Sequence, residues 1–96
     1  MLKDQIEEVF TKIKTMDPKV ISLIVTDDSG LVIYSSKKTN SIELLSGTIT
    51  AILKKTKKIL QKFGNNNLKE LTIRIEDYQI KIIPRERTIT ILIRKK

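Results

Sequence analysis

The most constraining feature of this 96-residue sequence is a short run, VISLIV at residues 20–25, that is apolar at nearly every position and rich in β-branched side chains. A strand of this composition has no polar face to turn toward water, so we expect an inner strand covered on both faces. A second apolar run, LVIY, occupies residues 31–34. Aspartate side chains bond to nearby backbone and glycine accepts a positive φ, so residues 27–30, DDSG, predict a hairpin turn between the two runs.

The two adjacent carboxylates of this turn, Asp27 and Asp28, raise the alternative of a metal site. A cage for a hard cation needs several more oxygen ligands at set spacing, and residues 29–32 supply no further carboxylate. Gly30 also lacks the glycine-rich run and lysine of a phosphate-binding loop. We therefore expect a structural turn, with no metal, no nucleotide and no other cofactor bound.

Two stretches have the apolar spacing of amphipathic helices. The first covers residues 2–16 and ends at an Asp-Pro pair. The second begins after Asn40, which with Glu43 resembles an N-terminal cap, and ends at Gly64 and three asparagines. Its predicted core stripe consists of Ile42, Leu45, Ile49, Ile52, Leu53, Thr56, Ile59, Leu60 and Phe63.

Three further strands follow, because apolar and polar residues alternate in residues 71–75, 78–82 and 88–93. The connections between them are so short that consecutive strands should form antiparallel hairpins. The predicted order is helix, two strands, long helix, three strands. We expect residues 1–96 to form a single domain of the α+β class.

The amino-acid composition favours some classes of function and disfavours others. Nineteen lysines and arginines against eleven acids give a net charge of +8, which attracts phosphates, acidic proteins or anionic lipid headgroups. The sequence has neither histidine, the commonest general base, nor cysteine, so we expect no catalytic site and no enzyme. It also has no apolar run approaching the roughly 18 residues that cross a bilayer, and no signal-peptide pattern, which predicts a cytoplasmic protein.

The element order, with VISLIVTDDSGLVIYSS as the first hairpin and NSIELLSGTITAILKKTKKILQKFG as the long helix, resembles the Roadblock family of dynein light chains and its short prokaryotic members. The resemblance covers nearly the whole chain. It implies a Roadblock/profilin-like α-β-β-α-β-β-β fold, in which a five-stranded antiparallel sheet carries the long helix on one face and the first helix on the other. Many family members have a further helix after the last strand. The resemblance does not assign the role of that helix to this sequence.

The resemblance also implies partners. Family members form homodimers, or heterodimers with a paralogue, in which the third strand and the long helix meet their counterparts. They bind or regulate small Ras-like GTPases or motor assemblies. We therefore expect a noncatalytic dimeric scaffold or regulator. The alternative, based on charge, is a basic protein that binds nucleic acid or an anionic membrane surface.

The face of the long helix opposite the core stripe contains Leu44, Gly47 and Ala51. A glycine inside a helix costs about 1 kcal/mol and often has a packing reason, so we expect two such helices to pack across a dimer twofold. The alternative is a solvated face with one exposed leucine. The third strand offers an edge that can pair with its own copy. The predicted dimer interface comprises Leu44, Gly47, Ala51, Leu71, Thr72, Ile73 and Arg74.

A cluster of lysines on the long helix is the second candidate surface. A solvated helix face is the ordinary explanation, and a surface for an acidic partner or an anionic membrane is the functional one. Specific nucleic-acid binding is less favoured, because stacking needs exposed aromatic rings and only Tyr34 and Tyr78 are candidates. The candidate partner surface comprises Lys54, Lys55, Lys58 and Lys62.

Overall fold

The computed structural model describes residues 2–64 and 67–96. It confirms the predicted order of two helices and five strands. In that part of the chain no helix is long and apolar enough to span a membrane. The elements are α1 (Leu2–Met16), β1 (Val20–Asp27), β2 (Val32–Ser35), α2 (Ser41–Lys62), β3 (Leu71–Arg74), β4 (Tyr78–Pro84) and β5 (Thr88–Lys95).

The five strands form one antiparallel sheet in the order β2-β1-β5-β4-β3. The first strand therefore pairs with the last, and Ile24 lies opposite Ile91. This arrangement leaves β2 and β3 as the two edges. As predicted, β1 is covered on both faces, since the neighbouring side chains of Leu23 and Ile24 are both buried.

The main core lies between the sheet and α2. Ile24, Ile82 and Ile91 of the sheet are fully buried and cluster with Ile49 and Leu53 of α2. Burying one such side chain contributes about 1.5–3 kcal/mol. These contacts hold α2 along the middle of the sheet.

The opposite face of the sheet carries α1. Apolar residues of α1, among them Ile6 and Ile13, face Leu23 and Val25 across an apolar cleft of about 390 Å³. Helix α1 is thus packed less closely than α2. The connection after α1 is fixed by Arg94, whose Nε donates to Asp17 Oδ2 at 2.7 Å. The same bond is the main reason that the pKa of Asp17 lies below its ordinary value.

The structure corrects the predicted core stripe of α2. Ile52, Ile59 and Phe63 were expected to face the sheet, but they are 40, 56 and 81% exposed. The helix is rotated on the sheet relative to this stripe, since the residues that it buries are Ser46, Ile49, Thr50 and Leu53. Ile49 and Leu53 lie toward one edge of the predicted stripe and are buried, while the opposite edge remains open to solvent.

Two local predictions also change. Leu31 was assigned to the second strand, but β2 begins at Val32 because the Leu31 backbone closes the turn. Asn40 occupies the N-cap position of α2 with helical φ and ψ, and its side chain makes no capping bond. The predicted helix end is confirmed at Gly64, whose φ is +79°, whereas the asparagines at 65 and 66 lie outside the described residues.

Candidate functional site

The acidic turn between β1 and β2 is a structural element. Asp27 Oδ1 accepts hydrogen bonds from the Ser29 amide at 2.9 Å, the Ser29 hydroxyl at 2.7 Å and the Leu31 amide at 2.9 Å. These bonds, led by that of the Ser29 hydroxyl, lower the pKa of Asp27. Its carboxylate is therefore committed to the turn. Within the described ranges no group of three or more acidic residues could hold a metal ion.

Gly30 fits this turn closely against α2. Its φ is +94°, a conformation that residues with a Cβ rarely adopt, and an added Cβ would lie 2.8 Å from Thr50 Oγ1. Thr50 is buried, and its hydroxyl donates to the Ser46 carbonyl. The contact therefore places the flank of α2 that carries Thr50 over the hairpin at the β2 edge of the sheet.

The opposite flank of α2 faces the β3 edge. Two residues along a helix of 3.6 residues per turn are about 160° apart, so Ile52 lies on the other flank from Thr50. Ile59 lies on the same flank as Ile52, two turns further along. We call these two exposed side chains the apolar flank of α2. It lies on the side of the helix toward β3, the strand farthest from the hairpin.

β3 presents an open edge beneath this flank. Leu71 and Ile73 lie opposite Ile82 and Ile80 of β4. The Ile75 amide donates to the Tyr78 carbonyl just beyond the strand, and hydrogen-bonded residues alternate along an antiparallel pair. The backbone groups of Thr72 and Arg74 therefore point away from β4. Such an edge is a template for another strand.

The structure separates the predicted dimer residues into two groups. The β3 residues lie at the open edge, with Leu71 and Ile73 half-buried toward the core and Thr72 and Arg74 exposed. The helix residues lie on a different side of α2, which points away from the sheet. Leu44 is 74% exposed there, and a Cβ on Gly47 would meet nothing within 4 Å. Ala51 is exposed as well.

Sequence reasoning missed the apolar flank because it counted Ile52 and Ile59 among the core residues. A helix on a sheet buries a stripe little more than about 100° wide. The predicted stripe spans about 120° at 100° per residue, which is close to that width, so apolar spacing alone gave no signal of how the helix is rotated.

The predicted partner surface is exposed. Lys54, Lys55, Lys58 and Lys62 all point to solvent from the C-terminal half of α2. The predicted stacking candidate Tyr34 is buried, and this burial raises its pKa. Its ring is therefore closed to a nucleic-acid base.

Solved structures of low sequence identity share this fold. Gliding protein MglB from Thermus thermophilus superposes with a TM-score of 0.79 at 14% identity, over 92% of this chain and 69% of that one. An MglB with a tetrameric arrangement superposes with a TM-score of 0.83 at 13% identity, over 96% of this chain and 71% of that one. A Roadblock/LC7 domain from Streptomyces avermitilis superposes with a TM-score of 0.78 at 10% identity, over 88% of this chain and 73% of that one.

Comparison by sequence adds the family. No curated protein matches the chain. The family model described as the Roadblock/LC7 domain, however, matches residues 6–95, which run from the first turn of α1 to the end of β5. The match therefore includes all five strands and α2, and the sheet with one helix on each face is the architecture that the resemblance implied. The chain belongs to the Roadblock/LC7 family.

Proposed function

We propose that this protein is a noncatalytic, dimeric regulator or scaffold that binds small Ras-like GTPases. Membership of the Roadblock/LC7 family supports the class of partner. The main observation in support of a dimer is that the open edge of β3 lies beside the apolar flank of α2, Ile52 and Ile59. A similar MglB structure has a tetrameric arrangement, which is consistent with self-association in proteins of this fold.

The proposed dimer pairs β3 antiparallel with its own copy about a twofold axis. The sheet then continues across the two copies, and both α2 helices lie on the same face of it. Their apolar flanks point toward each other, because each flank lies on the β3 side of its own helix. Such a contact is isologous, with the same residues contributed by each copy. It would cover Ile52 and Ile59 and satisfy the open backbone groups of Thr72 and Arg74.

The predicted helix residues take outer positions in this proposal. Leu44 lies about 60–80° around the helix from the apolar flank, close enough to contact the partner helix at its margin. Gly47 and Ala51 lie further around, toward solvent. The apolar flank thus replaces them as the centre of the proposed helix contact, while β3 keeps the role that the sequence predicted.

GTPase binding is tested by a pull-down with purified small GTPases from the same cell, each loaded with GDP or with a GTP analogue that is not hydrolysed. We expect the immobilised chain to retain at least one of them. Because the function is assigned to an assembled surface, a variant with Ile52→Lys and Ile59→Lys should retain less of it. A panel in which no GTPase binds in either nucleotide state would contradict the proposed partner.

A further inference from the structure

The side of α2 that faces away from the sheet is cationic in the C-terminal half of the helix and has no carboxylate there. Lys54, Lys55, Lys58 and Lys62 are exposed and fall within an arc of about 100° around the helix. Between Glu43 and the acid that follows α2, Glu70, the sequence contains no aspartate or glutamate. We call these four residues the lysine face.

Within the described residues, no ion pair neutralises the charges of this face. Where the structure describes the chain, the ion pair joins Arg94 to Asp17, on the opposite side of the sheet from α2. The lysine face therefore projects four positive charges in one direction, and these raise the local concentration of anions.

The type of cation favours a lipid surface over a protein. All four charges belong to lysines, which are depleted at protein interfaces, whereas arginine is enriched there. The lysine ammonium is compact and strongly hydrated, and it sits on a flexible stem. Such groups suit a fluid layer of anionic headgroups, which is contacted through charge and not through fixed geometry. Clusters of four to eight basic residues on an amphipathic helix are typical of anionic-lipid binding.

An exposed aromatic residue adds an apolar contact at the end of the same helix. Phe63 follows Lys62 directly and is 81% exposed. In helices that lie at a membrane surface, lysines line the polar face and Phe, Trp or Leu side chains line the other. Nucleic acid fits less well, because it would need several stacking rings beside the lysines; Tyr34 is buried, and the exposed Tyr78 lies on β4 and not on α2.

We propose that the lysine face of α2 binds anionic lipid headgroups at a membrane surface. This inference goes beyond the proposed function, since it assigns the protein to a membrane surface in addition to a GTPase partner. It does not require the dimer. In the proposed dimer, however, both α2 helices lie on one face of the joined sheet, so both lysine faces would meet the same membrane and bind it more strongly together.

The test is cosedimentation of the full chain with two kinds of vesicle, one of phosphatidylcholine alone and one that also contains phosphatidylglycerol. We expect binding only to the second kind, and weaker binding as salt is added. Replacing Lys54, Lys55, Lys58 and Lys62 with glutamine should lower the affinity about fivefold per lysine, or several hundredfold in all.

A matched control removes the same charge elsewhere, with Lys3, Lys12, Lys14 and Lys19 changed to glutamine. These lysines are exposed, and they lie on α1 or in the turn that follows it. The control should lose little affinity, because its changes lie on the opposite side of the sheet. Equal losses in the two variants would show that only net charge matters and would overturn the proposal.

Two further outcomes would also overturn it. One is equal binding to vesicles of phosphatidylcholine alone. The other is binding of the lysine face to soluble polyglutamate without binding to either kind of vesicle, which would indicate an acidic protein as the partner. A Phe63→Ser variant that binds phosphatidylglycerol vesicles more weakly than the wild type, with an unchanged salt dependence, would support the apolar contribution of Phe63.

Discussion

Replacing Gly30 with alanine is expected to lower the free energy of unfolding by about 3 kcal/mol. Part of this cost is conformational, because φ at Gly30 is +94°. The rest is steric, since the new methyl group would lie 2.8 Å from the Thr50 hydroxyl on buried helix surface. Urea denaturation followed by circular dichroism measures the change.

The other two glycines separate these two contributions. Gly64 also has a positive φ, +79°, but a Cβ there would meet nothing within 4 Å, so Gly64→Ala should cost only about 1 kcal/mol. Gly47 lies inside α2 with open space around it, and Gly47→Ala should stabilise the protein by about 0.5–1 kcal/mol. A Gly30→Ala variant no less stable than Gly64→Ala would show that the Thr50 contact does not restrain the turn.

Replacing Ile52 and Ile59 together with lysine is expected to convert the proposed dimer into a monomer. Each copy would lose two apolar side chains from the contact and bring like charges together across the twofold. We estimate a loss of about 4 kcal/mol from apolar burial alone. This corresponds to an increase of about a thousandfold in the dissociation constant. Sedimentation velocity over a series of concentrations measures it.

The control for this variant adds the same two charges to exposed apolar positions elsewhere, with Met16→Lys and Leu31→Lys. Both side chains are exposed and belong to neither α2 nor β3. Their replacement should leave association unchanged. A dimer that persists after the Ile52 and Ile59 changes, but is lost in a Leu44→Lys and Ala51→Lys variant, would move the helix contact to the outward side of α2.

The features that could be predicted from the sequence are those that local chemistry determines. The bounds of α1 follow from apolar spacing and from proline, and the first turn follows from the side-chain acceptor of Asp27 and the freedom of Gly30. The three short hairpins are local too. In each case the residues that determine the element lie within a few positions of one another.

Features that depend on distant parts of the chain could not be predicted in this way. The pairing of β1 with β5 joins Ile24 to Ile91 across most of the sequence, and the order of the sheet follows from it. The exposure of Ile52 and Ile59 likewise depends on how α2 is rotated on the sheet. The close approach of Thr50 to Gly30 accompanies that rotation, and no helical periodicity reveals it.

Amide hydrogen exchange at Thr72 and Arg74 tests the proposed assembly most directly, because their backbone groups lie on the open edge of β3. If β3 pairs with its copy, both amides should exchange slowly above the concentration at which the protein dimerises and quickly below it. The amides of Leu71 and Ile73, which face β4, serve as the internal reference. Rapid exchange of Thr72 and Arg74 at every concentration would contradict the account.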